Sequence, residues 1–476
     1  MKNKQLNFKK ALIIQFGSKY LNVFISLIIT AILARILSPE EYGLLAIIMV
    51  FTTFFNTMAD VGIGPAIIQF RNLNKKDYNA LLFFSLLFGL FLAAVFTVCS
   101  IPIANFYSDN RLILLCRISA ISIIFTTASS VPNGVLLKEK KFLTIAIGQI
   151  IASLTGGIVA ILMATNGYGT YSLIANFIIN SIIVFLYNCI STDIYPISIH
   201  FIEPLKKIFS YSAFNSLFTT VNYFARNLDN MLIGKFMNAT NLGFYDKAYK
   251  LTTYPISYLA GIIGTVLQPY LAEYQDQKNY LYFVWKKISK AMSLIAAPIS
   301  TILFCCASEI VLIIYGDKWG NSIPLLQALS VSLYFQIVDN AGGAMFQSAN
   351  HTDYQFLQAI IFTTITIILL LFGLQTHSLF ITACCISIAY SMQFLLITWF
   401  LVVKSLDGNG IEYLKQFIPE IIISLFTIFV IKFLIKLNIS NIIVLFFIKV
   451  TVIGSIFLIF YKFSGQITVI KKIFHF

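Results

Sequence analysis

Residues 215–270 read NSLFTTVNYFARNLDNMLIGKFMNATNLGFYDKAYKLTTYPISYLAGIIGTVLQPY, and this stretch decides the fold. It places Arg226 and Asp229 in an otherwise apolar segment that is longer than the roughly 20 residues a helix needs to cross a bilayer. It also repeats an earlier part of the chain at an offset of two hundred residues, so the sequence predicts two related halves. The matched pairs are Asn22 and Asn222, Phe24 and Phe224, Arg35 and Lys235, Gly43 and Gly243, and Gly64 and Gly264.

The composition is that of a membrane protein rather than a soluble one. Of the 476 residues, 58% are hydrophobic and 11% are charged, and the mean hydropathy is +0.85. Apolar runs of membrane-spanning length follow one another almost without interruption, and they are too long for barrel strands. We therefore predict an all-α polytopic membrane protein with about 14 transmembrane helices. The predicted spans are residues 11–37, 42–69, 78–106, 112–137, 143–164, 169–190, 208–236, 246–272, 287–315, 322–349, 355–375, 378–403, 414–436 and 440–463.

The distribution of the basic residues that give the net charge of +14 indicates membrane topology and does not indicate a nucleic-acid-binding surface. With a cytoplasmic N-terminus, most lysines and arginines fall in cytoplasmic loops, as the positive-inside rule requires. Lys10, Lys76 and Lys138 illustrate this pattern. The sequence therefore predicts a multi-pass protein with both termini in the cytoplasm, in contact with anionic lipid headgroups and not with nucleic acid.

Polar side chains recur on one face of the first span and on one face of the seventh. Positions that differ by four, seven or eleven residues lie on the same side of an α-helix. Polar groups at membrane depth usually face a bundle interior or a water-filled cavity, so the two stripes predict a hydrated cavity between the halves. Lys19 has an alternative interpretation as a lysine that snorkels to the interface. The stripes are Gln15, Lys19, Asn22 and Ser26 in the first span, and Asn215, Thr219, Asn222 and Arg226 in the seventh.

Three carboxylates within the predicted spans, Asp60, Asp229 and Asp339, are candidates for ion coupling. Asp60 has an equally good interpretation as a structural hydrogen-bonding group. Asp229 follows Arg226 by three residues, close enough for an intrahelical ion pair that neutralises both charges. An unpaired cation at that depth costs at least ~2.5–3.5 kcal/mol on insertion scales, so Arg226 requires a cavity or a partner.

Seven segments of the chain carry a family resemblance. They are YGLLAIIMVF (42–51), MADVGIGPAIIQ (58–69), VPNGVLLKEKKF (131–142), GYGTYSLIA (167–175), NLDNMLIGKFMNATNLGFYDKAYKL (227–251), IIYGDKWGNSIPLLQALSVS (313–332) and MFQSANHTDYQF (345–356). In this order they resemble bacterial polysaccharide and lipopolysaccharide exporters of the Wzx type, in the multidrug/oligosaccharidyl-lipid/polysaccharide exporter superfamily. The resemblance covers about residues 8–400, and the last two spans share only hydrophobicity with it.

The resemblance implies two six-helix lobes related by a parallel internal repeat, with two further helices at the C-terminus. It implies a flippase that moves a polyprenyl-diphosphate-linked oligosaccharide from the inner to the outer leaflet, by alternating access of a central cavity. The product would serve surface polysaccharide assembly, as O-antigen, capsule or exopolysaccharide. The implied location is the bacterial cytoplasmic (inner) membrane, and the implied partners are the bilayer, the lipid-linked oligosaccharide, a polysaccharide polymerase and glycosyltransferases.

Under this interpretation the polar residues take three kinds of role. Lys19 and Arg226 are candidates for contact with the diphosphate, and the amides are candidates for hydrogen bonds to sugars. Proton coupling, Na⁺ coupling and direct use of the membrane potential stay open as driving forces. The predicted substrate-binding residues are Lys19, Asn22, Asn222, Arg226, Gln336 and Asn340, the weaker gate candidates are Arg35 and Lys235, and the ion-coupling candidates are Asp60, Asp229 and Asp339.

The predicted organisation has four parts. An N-terminal lobe covers residues 1–190, and a cytoplasmic linker covers residues 191–207. A C-terminal lobe covers residues 208–403, and residues 404–476 form two additional helices and a cytoplasmic tail. We interpret the two additional helices as lipid-facing, because nothing in their sequence resembles a site.

Motifs of common enzyme classes are absent from the sequence. There is no GxxxxGK[ST] loop for nucleotide phosphates, and all four histidines lie in predicted loops or the tail. The cysteines lack metal-ligand spacing. We therefore predict no catalytic residue, no cofactor and no metal, and a protein that is not an enzyme. Two alternatives stay open: a cation-coupled multidrug exporter, which needs a cavity rich in carboxylates and aromatic residues, and a membrane polysaccharide polymerase, which conflicts with the short outer loops.

Overall fold

The computed structural model describes residues 2–59, 63–70, 73–198, 201–434 and 441–466, without the side chains of residues 2–16, 206–222, 224–226, 258–270 and 272. Within these ranges the chain is helical and contains no β-strand. Eleven of the described helices are long and apolar enough to cross a membrane. These features confirm the prediction of an all-α polytopic protein and are consistent with the fourteen predicted spans.

The chain forms two compact units, residues Met1–Gly243 and residues Phe244–Phe476. The predicted lobes and the linker at residues 191–207 stay a prediction. The N-terminal unit contains α1 (Lys2–Ile36), α2 (Pro39–Ala59), α3 (Ile63–Gln69), α4 (Lys75–Tyr107), α5 (Arg111–Lys138), α6 (Phe142–Thr165), α7 (Thr170–Thr192) and the first part of α8 (Ile202–Leu271).

The C-terminal unit contains the rest of α8 and the helices that follow it. The backbone of α8 is interrupted at Asn238, where φ is 77°. A π-helix, Thr398–Ser405, directly continues α14. The remaining helices are α9 (Lys278–Cys305), α10 (Ala307–Ile314), α11 (Ser322–Asp339), α12 (Gly342–Ser348), α13 (Thr352–Gln375), α14 (Leu379–Ile397), α15 (Gly410–Lys415), α16 (Ile418–Leu434) and α17 (Ile442–Phe463).

The same order of helix packing occurs in both units. In the N-terminal unit α4 packs on α5, α5 packs on α7, and α6 packs on α7. In the C-terminal unit α9 packs on α11, α11 packs on α14, and α13 packs on α14. Because the helices correspond in chain order, this shared pattern supports the internal repeat.

The repeat is also visible in the way that two helical segments begin. Ser38 starts α2, and its Oγ accepts a hydrogen bond from the Glu41 backbone N–H at 3.3 Å. Two hundred residues later, Asn238 interrupts α8, and its Oδ1 accepts a hydrogen bond from the Asn241 backbone N–H at 3.0 Å. Both are side-chain caps of a helix N-terminus, which polar residues of this kind favour. The second segment therefore restarts a helix at the position that the repeat predicts.

Two glycines from the repeat form a reciprocal close contact. A Cβ atom on Gly43 would overlap the backbone carbonyl of Ala239. A Cβ atom on Gly243 would overlap the backbone carbonyl of Pro39. Pro39 and Ala239 occupy equivalent positions in the repeat, so the two glycines make equivalent contacts, as residues do across a two-fold interface. The absence of a side chain at both positions lets the two helices cross with their backbones in contact.

An apolar core holds α3, α4, α5 and α7 of the N-terminal unit together. Ile63 and Ile67 of α3, Leu81 of α4, Val131 of α5 and Phe185 of α7 belong to one buried cluster. Ile63, Ile67 and Val131 are fully buried. This core fixes α3, α5 and α7, which also contribute residues to the site described next.

Candidate substrate site

A cavity of about 900 Å³ lies inside the N-terminal unit. Helices α1, α2, α3, α5, α6 and α7 contribute to its wall. Pockets that hold small molecules typically measure about 300–1,000 Å³, so this volume suits several sugar-sized groups. The position and size of the cavity make it the candidate site.

The described part of the cavity wall combines apolar surface with many polar groups that carry no charge. Carboxamides and hydroxyls supply its polar surface, and the described lining residues include no charged side chain. The remaining lining residues are apolar or glycine. The carboxamides are Asn22, Asn56, Asn133, Gln149, Asn180 and Asn188, and the hydroxyls are Thr52, Thr57, Ser122, Thr126, Thr127, Ser129, Ser130, Ser153 and Ser181.

Several helices contribute polar side chains to the wall through ordinary helical spacing, whereas α3 contributes only Gly64, Pro65 and Ile68. On α7, Asn180, Ser181 and Asn188 lie within two turns of one another on one side. On α6, Gln149 and Ser153 are four residues apart and share a face. These residues were not predicted from the sequence, because they are uncharged and lie outside the two polar stripes. The signal was present as Asn, Gln, Ser and Thr at helical spacing within apolar spans.

Some lining groups satisfy one another. Ser153 Oγ donates a hydrogen bond to Asn22 Oδ1 at 2.6 Å, which connects α6 to α1. Asn188 Nδ2 approaches Ser129 Oγ at 3.5 Å, between α7 and α5. The Thr127 hydroxyl donates to the backbone carbonyl of Ile123 in its own helix at 2.6 Å. A hydroxyl that donates in this way keeps its lone pairs available as acceptors.

Other lining groups are left for a ligand or for water. Within the described part of the chain, Asn133, Gln149 and Asn180 form no hydrogen bond through their side chains. The Oδ1 atom of Asn56 is buried and likewise accepts no hydrogen bond from described residues. Asn56 Oδ1 is buried without a described partner, which is unfavourable, so this part of the cavity requires water or a polar ligand. Gln149 is exposed, and Asn133 and Asn180 are half-buried, so these side chains are accessible to water or to a ligand. A polyhydroxylated molecule provides both donors and acceptors for these groups.

Close backbone packing forms part of the wall. A Cβ atom on Gly134 of α5 would lie 3.1 Å from the Cα and the carbonyl oxygen of Gly64 in α3. This distance is tighter than ordinary side-chain contacts allow. The glycines therefore let the short helix α3 lie directly against α5 beside the cavity.

The predicted residues of the N-terminal unit have different surroundings. Asn22 lines the cavity. Lys19 and Arg35 are exposed on α1. Lys235 is half-buried, donates a hydrogen bond to the Phe106 carbonyl, and lies 5.0 Å from the Phe106 ring centroid.

The predicted residues of α8 and of the turn after α2 are only partly described. Asp229 is buried, and its Oδ1 accepts a hydrogen bond from the Asn230 backbone N–H at 2.8 Å. Asp60 lies outside the described residues, and so do the side chains of Asn222 and Arg226. The prediction that Arg226 pairs with Asp229 therefore stays a prediction.

The predicted residues of the C-terminal unit lie at the end of α11. Gln336 Nε2 donates a hydrogen bond to Ser332 Oγ at 3.1 Å. Asp339 is buried, and its Oδ2 accepts no hydrogen bond from the described part of the chain. Asn340 is exposed. The role of each in substrate binding or ion coupling stays a prediction.

The C-terminal unit also contains buried ion pairs that the sequence analysis missed. Lys449 Nζ lies 2.5 Å from Glu309 Oε1, and both side chains are 4% exposed. Lys290 Nζ lies 2.7 Å from Oε1 of the fully buried Glu420. Lys449 belongs to α17 and Glu420 to α16, so the two helices interpreted as purely lipid-facing also direct charges inward.

Comparisons with known proteins agree with this architecture. A teichuronic acid biosynthesis protein, TuaB of Bacillus subtilis (strain 168), is 25% identical over 402 residues, covering 82% of each chain. The lipopolysaccharide biosynthesis protein WzxC of Escherichia coli (strain K12) is 23% identical over 334 residues, covering 70% of this chain and 68% of its own.

Solved structures show the same fold. The lipid II flippase MurJ, in an inward closed conformation, superposes with a TM-score of 0.75 at 17% identity, covering 95% of this chain and 99% of MurJ. An inward-facing multidrug resistance transporter of the MATE family gives a TM-score of 0.63 at 16% identity, covering 80% of this chain and 94% of its own. At these identities the likeness concerns the fold alone.

The family itself follows from the sequence. Residues 32–324, more than half of the chain, match the family described as "Polysaccharide biosynthesis protein". The match begins in α1 and ends in α11, so it includes most of the cavity-forming helices. This result agrees with the resemblance to polysaccharide exporters. The chain therefore belongs to the polysaccharide biosynthesis protein family.

Proposed function

We propose that this protein is a flippase that moves a polyprenyl-diphosphate-linked oligosaccharide from the inner to the outer leaflet for surface polysaccharide assembly. The cavity of about 900 Å³, whose described lining residues supply neutral carboxamides and hydroxyls, carries this proposal. It lies in a polytopic bundle that belongs to a polysaccharide biosynthesis family. Its relatives include the lipopolysaccharide biosynthesis protein WzxC and the succinoglycan biosynthesis transport protein ExoT of Rhizobium meliloti (strain 1021).

The cavity chemistry suits sugars in particular. A sugar hydroxyl that leaves water must regain its hydrogen bonds, since each unmade bond costs about 1–3 kcal/mol. Asn133, Gln149 and Asn180 each offer a carbonyl acceptor and an amide donor. The described lining residues supply no carboxylate to balance an organic cation. The chemistry of the wall therefore favours an oligosaccharide over the cationic substrate of a multidrug exporter.

Transport proceeds by alternating access, with the sugars in polar surroundings and the lipid tail among apolar helices. Asn22 binds sugar at the cavity wall, and the remaining predicted residues keep the roles assigned above. The protein is not an enzyme, and it resides in the bacterial cytoplasmic membrane with both termini in the cytoplasm. It receives its substrate from glycosyltransferases and delivers it to a polysaccharide polymerase.

A flipping assay in proteoliposomes tests the proposal. A polyprenyl-diphosphate-linked oligosaccharide would be incorporated with the purified protein, and its exposure to an impermeant sugar-oxidising reagent would be followed with time. We expect protein-dependent exposure of the inner-leaflet pool, and a clear reduction in the variant Gln149→Ala/Asn180→Ala.

The control for this assay is Thr155→Ala on α6. The Thr155 hydroxyl donates to the Ile151 carbonyl of its own helix, and Thr155 does not line the cavity. We expect this variant to flip at the wild-type rate. If wild-type protein leaves the inner-leaflet pool protected, the proposed function is wrong.

A further inference from the structure

Lys138 lies close to the cavity, although its own side chain does not line it. It is the last residue of α5 and follows Leu137, which lines the cavity. Its half-buried side chain donates hydrogen bonds from Nζ to the Phe70 carbonyl at 2.6 Å and to the Tyr78 hydroxyl at 3.0 Å. Phe70 follows α3, whose residue Ile68 also lines the cavity. The ammonium group is therefore fixed where α3 and α5 end beside the cavity.

The charge of Lys138 has no carboxylate partner among the described residues. Both of its hydrogen bonds go to neutral oxygens. Two neighbouring lysines differ, because Lys75 pairs with Asp193, and Lys141 Nζ lies 2.7 Å from Glu139 Oε2. A half-buried cation without a counter-charge is unfavourable, and a bound anion compensates it. An ammonium has three N–H donors, and its two contacts leave one for such a ligand.

We propose that Lys138 binds the diphosphate of the lipid-linked substrate while the adjoining sugars occupy the cavity. This inference rests on the proposed function, because only a substrate with both parts uses both features. The cavity provides neutral donors and acceptors, which suit sugars and do not balance a diphosphate. Lys138 provides a positive charge close to the cavity, in addition to the proposed contacts of Lys19 and Arg226. The site therefore offers neutral groups to the sugars and a positive charge to the diphosphate of the substrate.

The arrangement also reduces the entropic cost of binding. A free lysine loses side-chain rotamer freedom when it is fixed. Here the Phe70 carbonyl and the Tyr78 hydroxyl already hold the ammonium, and the Tyr78 ring centroid lies 5.6 Å from Nζ. A pre-positioned charge binds more tightly because less order is lost on binding.

Chemical footprinting of the wild-type protein tests this assignment without a substitution. Detergent-solubilised protein would react with an acetylating amine reagent, and mass spectrometry would quantify modification at Lys138 and Lys141. We expect a polyprenyl diphosphate that carries the oligosaccharide to slow modification of Lys138 at least about fivefold, with no change at Lys141. Polyprenol, which has no diphosphate, should protect neither.

Two further probes separate the sources of phosphate. Inorganic pyrophosphate is expected to protect Lys138 only at much higher concentration, because it lacks the sugars and the tail. Phosphatidylglycerol vesicles are expected to give no selective protection. If phosphatidylglycerol protects Lys138 as well as the substrate does, Lys138 is a general lipid-headgroup contact and the assignment is wrong.

Affinity measurements on matched variants give the second test. We expect K138M to weaken binding of the lipid-linked substrate about tenfold, K138R to retain most of it, and K141M to match wild type. If K138M does not fold, the affinity of K138R and the protection of Lys138 in the wild-type protein still test the assignment. If the substrate binds wild type and K138M equally and leaves Lys138 unprotected, only this inference fails. If the substrate does not bind wild type, the proposed function fails with it.

Discussion

The N-terminal and C-terminal units both contain polar side chains within apolar helices, but the chemistry of these side chains differs. In the N-terminal unit, carboxamides and hydroxyls surround an open cavity, and several of them lack a partner in the described chain. In the C-terminal unit, lysines and glutamates pair directly across helices. Neutral groups tolerate water and exchangeable ligands, whereas buried charges need a fixed counter-charge.

The comparison shows that a polar residue in a membrane span is not by itself a sign of a substrate site. Glu309 and Lys449 satisfy each other, and Lys449 Nζ also contacts the Cys305 carbonyl at 3.2 Å. Gln149 and Asn180 are satisfied by no described side chain or backbone group. A polar group whose hydrogen bonds are completed within the protein is therefore structural. A polar group that lacks such partners is available to a ligand.

The largest expected effect comes from breaking a buried ion pair in the C-terminal unit. Lys449→Met leaves Glu309 buried without its counter-charge, and we expect a loss of about 3–5 kcal/mol in the free energy of unfolding. The measurement is an unfolding titration with sodium dodecyl sulfate in mixed micelles. The double variant Lys449→Met/Glu309→Leu removes both charges and should recover most of the loss. A single variant within about 1 kcal/mol of wild type would contradict the assignment of this pair as structural.

A second effect is expected at the glycine crossing of the N-terminal unit. Gly43→Ala places a methyl group against the Ala239 carbonyl, so the helices must separate. Overpacking of this kind typically costs about 1–3 kcal/mol, measured by the same titration. Gly454→Ala on α17 is the control, because a Cβ atom there meets nothing within 4 Å. Equal stability of the two variants would mean that the crossing is looser than described.

A third variant tests whether the cavity differs from the C-terminal interior. Gln149→Glu adds a carboxylate to the uncharged wall. If the cavity is hydrated, water solvates the new charge, and we expect a change of less than about 1 kcal/mol in the free energy of unfolding. Flipping of the lipid-linked substrate should fall, because the carboxylate offers no donor and repels the diphosphate. A loss as large as that of Lys449→Met would show that the cavity is dry, and the comparison between the units would then fail.

The fold could be predicted from the sequence because its main signals are local. Apolar runs set the helices, and the offset of two hundred residues predicted the pairing of Gly43 with Gly243, whose reciprocal contacts and the equivalent caps at Ser38 and Asn238 the structure then adds. Both signals depend on residue type and spacing alone.

The candidate site was predicted only in part. Asn22 was identified from its stripe, but Gln149 and Asn180 were missed because they lie outside the polar stripes of the first and seventh spans. The pairing of Lys449 with Glu309 could not be predicted, because it joins residues far apart in sequence and depends on how the helices pack. Periodicity identifies a polar face but does not identify what that face meets.

The smallest expected effect concerns an exposed cluster in the N-terminal unit. Arg111 binds Asp109 Oδ2 at 2.7 Å and Glu40 Oε1 at 2.6 Å, and its hydrogen bond to Asp109 lowers the pKa of that carboxyl below its usual value. A lowered folded-state pKa adds stability above the unfolded pKa of about 3.9, and this stability is lost as the pH falls through the folded value. Solvent screening limits the contribution to about 0.2–1 kcal/mol. We therefore expect wild type and Asp109→Asn to differ slightly in melting temperature at pH 6 and to converge at the lowest pH at which both remain folded. A difference that persists or grows on acidification would show that the cluster stabilises the unit by packing and not by charge, unlike the ion pairs of the C-terminal unit.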